Sequence, residues 1–99
     1  MPTHYDRHEQ VLCAVDGSIH IKLVPPIYKQ EMYTGKKPKV ENLAGEIVDS
    51  GESILPNESP VNLFSPDLVL YPLMDEIGTK YSLVLRQGDC LFIPAFYFH

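Results

Sequence analysis

The chain is poor in the residues that define several large classes. It has two cysteines, no tryptophan, and 8 Lys and Arg against 13 Asp and Glu, a formal balance of −5. Two cysteines make no disulfide framework. Both Cys13 and Cys90 sit in apolar runs, which predicts buried free thiols in a reducing compartment. No stretch approaches the ~18 apolar residues of a membrane span, so no membrane partner is expected. The start, Met1-Pro2-Thr3-His4-Tyr5-Asp6-Arg7, has neither the basic nor the apolar region of a secretory signal. An intracellular protein, cytoplasmic or nuclear, is therefore expected. The acidic balance argues against broad electrostatic binding to nucleic acid and leaves room only for a local basic patch. At 99 residues the chain holds one domain.

What is present reads mainly as strand. Val11-Leu12-Cys13-Ala14-Val15 is a short apolar run, followed by Asp16-Gly17, a strong hairpin signal. Ile19, Ile21 and Leu23 then alternate with His20, Lys22 and Val24 until Pro25-Pro26 ends the strand. Residues 9–24 are thus predicted to form a β-hairpin, with Ile19, Ile21 and Leu23 inward and His20 and Lys22 outward. Residues 34–60 lack periodicity and carry repeated Gly, Pro and Lys. They are expected as a surface insertion without regular structure, its lysines solvated rather than engaged with an anionic partner. Ser65-Pro66-Asp67 predicts one short helix, with Ser65 as its cap. Tyr81, Leu83 and Leu85 predict a half-buried strand, Gln87-Gly88-Asp89 a turn capped by Asp89, and Cys90-Leu91-Phe92-Ile93 a fully buried strand ended by Pro94. The fold class is mainly all-β, a barrel or sandwich with a minor helical part.

His4 and Asp6 are the first candidates for chemistry. On an extended chain residues i and i+2 face the same way, so an imidazole and a carboxylate project together. Two histidines and one carboxylate on one face of a metal leave positions open for substrates, as in non-haem Fe(II) oxygenases. As an isolated triplet, solvated terminal residues are the plainer reading. His8, Glu9 and Arg86 read as solvated surface.

The C-terminal string Gly88-Asp89-Cys90-Leu91-Phe92-Ile93-Pro94-Ala95-Phe96-Tyr97-Phe98-His99 is more specific. With Thr3-His4-Tyr5-Asp6, Gly17, Leu23-Val24-Pro25-Pro26, Pro60-Val61-Asn62, Pro66-Asp67 and Tyr71-Pro72, it resembles the JmjC/cupin-like (cupin-8) family of Fe(II)- and 2-oxoglutarate-dependent oxygenases. Among the members, it looks similar to small protein hydroxylases and to the wybutosine tRNA hydroxylase. The resemblance implies a double-stranded β-helix, the jelly-roll barrel of cupins, here incomplete, with the 34–60 insertion inside a 1–99 core truncated at both ends. It implies His4, Asp6 and His99 as metal ligands, Fe(II) and 2-oxoglutarate as cofactors, Thr3 beside the co-substrate and Tyr97 packed beside the metal. It implies hydroxylation of a protein side chain or a tRNA base, coupled to oxidation of 2-oxoglutarate to succinate. One position departs from the family. The lysine that pairs with the distal carboxylate of 2-oxoglutarate would stand at 19, and this chain has Ile19. That departure favours an alternative, a catalytically impaired cupin-like module that keeps the fold. A metal cupin with non-oxidative chemistry is a third reading. With no strand following His99, its ring is expected to be poorly held.

Overall fold

The computed structural model describes residues Pro2–His99 and is almost entirely β. Eight short strands run in the order β1 (Thr3–His4), β2 (Gln10–Cys13), β3 (Ile19–Leu23), β4 (Lys39–Glu41), β5 (Ile47–Asp49), β6 (Glu58–Ser59), β7 (Tyr81–Leu85) and β8 (Cys90–Ile93). They pair antiparallel as β1–β6, β2–β8, β3–β7 and β4–β5. These are four two-stranded sheets, so the barrel is not closed. A single bridge, Val24 to Phe98, extends β3 toward the last residues.

The expected hairpin over 9–24 does not form. β2 pairs with β8 and β3 pairs with β7, from Ile19↔Leu85 to Leu23↔Tyr81. Asp16-Gly17 does turn the chain, and Gly17 takes a φ of +67° that glycine adopts without strain. The turn carries the chain from one sheet to the other because both apolar faces must reach one shared core. That core is Ala14, Ile21, Leu23, Leu85 and Ile93, drawn from both sheet pairs. The predicted facing of β3 is found: Ile21 and Leu23 are buried, Ile19 is half-buried against the same cluster, and His20 is exposed. Lys22, half-buried, lies over the ring of Phe64 at 5.5 Å from its centroid.

A second cluster, around Tyr5, Val24, Met32, Val61, Tyr71, Met74 and Phe98, lies under the N- and C-terminal segments. Leu23 and Val24, neighbours in the chain, belong one to each cluster and join them. Buried Ser59 is satisfied twice: its hydroxyl donates to the Met32 carbonyl and accepts from the Val61 amide. This ties β6 to the Met32 segment.

Three local expectations are corrected. Residues 34–60 are not without regular structure: β4 and β5 form a hairpin, closed by Asn42, whose side chain accepts from the Ala44 and Glu46 amides. β6 lies at the end of the same stretch. No helix starts at Ser65. Asp67 instead caps a single turn, accepting from the Val69 and Leu70 amides, and the regular piece is a 3₁₀ turn over Pro72–Glu76 that begins at proline. The strand β8 is not fully buried. Only Ile93 is, and Cys90 and Phe92 face outward.

That outward face also overturns the free-thiol expectation. Val11 and Cys13 of β2 point away from the core, opposite Phe92 and Cys90 of β8, and Cys13 and Cys90 form a disulfide. The apolar run around Cys13 alternates in and out, which its composition concealed. The turn before β8 is as expected: Asp89 accepts from the Arg86 amide, and Gly88 has a φ of +92°.

Candidate metal centre

His4 and His99 stand 95 positions apart in the chain and side by side in the fold. Their backbones exchange both hydrogen bonds, His4 amide to His99 carbonyl at 3.1 Å and His99 amide to His4 carbonyl at 2.9 Å. This is the closely bonded pair of an antiparallel ladder. On the other side, His4 is opposite Glu58 in β6. The segment His4-Tyr5-Asp6 is therefore clamped from two sides. Tyr5 exchanges hydrogen bonds with Asn57, and the Asp6 carbonyl accepts from the Phe96 amide at 2.8 Å.

The three side chains converge. Asp6 Oδ2 lies 3.5 Å from His4 Nε2 and 3.5 Å from His99 Nε2. One donor atom from each of the three lies within 4.8 Å of the others. The two imidazole rings are 4.5 Å apart and tilted by 53°. Each ring is turned by the same local device. His4 Nδ1 bonds the carbonyl of Pro2, and His99 Nδ1 bonds that of Tyr97, each at 3.0 Å and each two residues back. With Nδ1 donating to a carbonyl, the neutral ring keeps its lone pair on Nε2, the nitrogen that faces Asp6. Gln10, at the start of β2, donates its amide to the same Asp6 Oδ2. Sequence reasoning passed over Gln10, although it lies four residues after Asp6.

The remaining predicted residues fall as follows. Thr3 is half-buried and donates its hydroxyl to the Val61 carbonyl at 2.7 Å, leaving oxygen lone pairs free. Ile19, like Leu12 and Leu91, packs against the core cluster of Ala14, Ile21, Leu23, Leu85 and Ile93 and places no cation there. Tyr97 packs in that cluster too, and its carbonyl, not its phenol, reaches the His99 ring. His99 is not loosely held: its side chain is only 18% exposed, and backbone and ring are both bonded.

A cavity of about 590 Å³ opens beside His99 and Thr3, walled by Leu12, Ile21, Ile93 and Phe64. Lys22 is the one lysine on its lining and Glu52 the one acid. Two neutral imidazoles and a carboxylate suit a borderline divalent metal, and a three-ligand set leaves open positions for exchangeable ligands. The adjoining cavity has the size and apolar lining of a small-molecule site.

The family model described as a cupin-like domain matches residues 1–99. Among curated relatives, the chain is 35% identical over 98 residues to tRNA wybutosine-synthesizing protein 5 of Mus musculus, covering 98% of this chain and 24% of the relative. It is 32% identical to lysine-specific demethylase JMJ31 of Arabidopsis thaliana, covering 98% of this chain and 15% of the relative. To JmjC domain-containing protein F of Dictyostelium discoideum it is 28% identical, covering 99% of this chain and 21% of the relative. The chain thus spans about a quarter or less of the length of these relatives. Among the described residues, no helix is long and apolar enough to cross a membrane.

Proposed function

The chain belongs to the cupin-like domain family, and from that premise we propose that it is the core of an Fe(II)- and 2-oxoglutarate-dependent hydroxylase acting on a tRNA base or a protein side chain. The observation that carries this reading is the donor set His4, Asp6 and His99, with both Nε2 atoms turned toward Asp6. Relatives named for tRNA modification and for lysine demethylation support the substrate classes. Bound Fe(II) would supply activation of dioxygen coupled to oxidation of 2-oxoglutarate.

The chain's own residues divide the work. His4 and His99 present neutral nitrogens, and Asp6 supplies the one anionic ligand. Gln10 holds Asp6 Oδ2 in place, while the Pro2 and Tyr97 carbonyls fix the two rings. Orienting contacts of this kind typically matter by 10–100-fold in metal affinity or activity. Leu12, Ile21 and Ile93 give the adjoining cavity an apolar wall.

The donor set fits Fe(II); position 19 does not fit the tail of 2-oxoglutarate. Ile19 in the core favours a second reading, a family member that keeps the metal ligands and has weak or no turnover. Succinate release with Fe(II), ascorbate and 2-oxoglutarate separates the readings. Release that is lost in Asp6→Ala supports the hydroxylase. Fe(II) binding with no succinate supports the impaired module, and metal-dependent turnover without succinate points to non-oxidative cupin chemistry.

A further inference from the structure

Among the described residues, two other than glycine lie at positive φ, Tyr33 at +53° and Phe96 at +69°. For a bulky L residue this region is strained. Such strain persists only where the surroundings over-determine it, and it gathers at functional sites. Tyr33 lies in a run of turns over 29–35. Phe96 lies in the framework of the metal centre, three residues before His99 and bonded to Asp6.

Burial does not account for the conformation of Phe96, whose side chain is 45% exposed. Its contacts are with the back of the centre. The Phe96 ring lies 5.7 Å from that of Tyr5, and the ring of Phe98, two residues on, lies 5.5 Å from the same ring. Tyr5 is buried in the core and joins His4 to Asp6 in the chain. The Phe96 amide donates to the Asp6 carbonyl at 2.8 Å. The next bond, from nitrogen to Cα, is the one that φ turns. On one side of it is the amide tied to Asp6. On the other are the Phe96 ring and the segment Tyr97-Phe98-His99. The value of φ at 96 therefore sets the angle between the Asp6 anchor and the arm that carries His99. From +69° to an ordinary value of about −63° is a swing of roughly 130°. A swing of that size takes the arm away from its partners, since Phe98 exchanges backbone bonds with Val24 and His99 with His4.

We propose that Phe96 is a positioning residue of the His4–Asp6–His99 centre: its left-handed backbone, clamped by the Asp6 carbonyl and by Tyr5, sets the angle at which His99 meets Asp6. The conformation does the positioning, and the ring is its clamp. The inference rests on the proposed metal site for the ligand that is held, and one arm of its test needs no metal.

Two substitutions separate conformation from packing. Phe96→Gly removes the ring and the strain together, because glycine takes positive φ freely. Phe96→Ala removes the ring and keeps the strain. The metal-free readout is hydrogen exchange of the His4 and His99 amides, followed by NMR, with the β3–β7 amides as the internal reference. The second readout is Mn(II) affinity by titration calorimetry under nitrogen. Expected for Phe96→Gly are protected His4 and His99 amides and near-native Mn(II) affinity. Expected for Phe96→Ala are loss of protection at those two amides alone and Mn(II) binding at least about tenfold weaker, in the range of orienting contacts. A ring that only packs gives the opposite order, since alanine keeps more apolar surface than glycine and loses less chain entropy on folding. Equal behaviour of the two variants, or a glycine variant worse than the alanine one, overturns the inference. Loss of protection across β3–β7 as well also overturns it, by assigning Phe96 to general stability. If the exchange order holds while Mn(II) binds none of the chains, Phe96 still positions His99 and the metal reading alone falls.

Discussion

At the scale of single residues, the centre depends on contacts that hold its ligands. Gln10 touches Asp6 Oδ2, the oxygen shared between both histidines. Gln10→Ala should leave the fold intact and weaken Fe(II) or Mn(II) binding by roughly tenfold, within the range for such supporting contacts. Titration calorimetry reads this directly, and unchanged affinity would show that Asp6 is oriented without Gln10. Ile19→Lys probes the opposite problem. A charge-assisted hydrogen bond contributes about 1.5–3 kcal/mol, so the metal-loaded variant should bind 2-oxoglutarate roughly 10- to 100-fold more tightly. An unchanged constant would mean that the co-substrate is anchored elsewhere. His4 and Asp6 were legible as a pair because extended chain puts i and i+2 on one face. Their meeting with His99 came only from family resemblance, since no local pattern encodes a backbone exchange across 95 positions.

At the scale of elements, β2 and β8 carry both an inward face and a cross-strand disulfide. Their pairing closes a loop of 77 residues between Cys13 and Cys90. Loop-closure entropy over that length places the stabilisation at about 4–4.5 kcal/mol, by restricting the unfolded chain. For a domain of this size, dithiothreitol or Cys13→Ser should lower Tm by roughly 15–35 °C, at about 4–8 °C per kcal/mol. A shift under a few degrees would show that the sheet holds β2 and β8 without the bond. The β4–β5 hairpin is the converse case. Five of its six strand residues are exposed, and its tie to the core is the Lys39 amide bonded to the buried Tyr71 hydroxyl. Limited proteolysis should therefore cut first between Asn42 and Glu46, before any site in β3 or β7. Both elements were misread for one reason. A two-residue period hides in a short run such as Val11-Leu12-Cys13, where every residue type suits a core, and in a tract such as 39–49, where lysines and acids mask the valines.

At the scale of the molecule, an open set of small sheets is held by two core clusters and by the contact between the two ends of the chain. The strand-rich pattern made the fold class readable. The partner of each strand was not, because adjacency in sequence suggested β2 with β3 while burial of both apolar faces required β2 with β8 and β3 with β7. The same architecture makes metal binding a folding interaction. His4 and His99 come together only in the folded state, so a metal held by both binds the native chain far better than the unfolded one. At a free metal concentration of 100 times Kd, such a ligand stabilises by about 2.7 kcal/mol. For a domain of this size, that raises Tm by roughly 10–20 °C. Mn(II) under nitrogen should produce this rise in the native chain, and His99→Ala should abolish it. Lys22→Ala, which removes a cavity residue but no ligand, should retain it. A rise of equal size in His99→Ala would place the bound metal outside the His4, Asp6 and His99 set, because only a ligand from the far end of the chain can couple metal binding to closure of its ends.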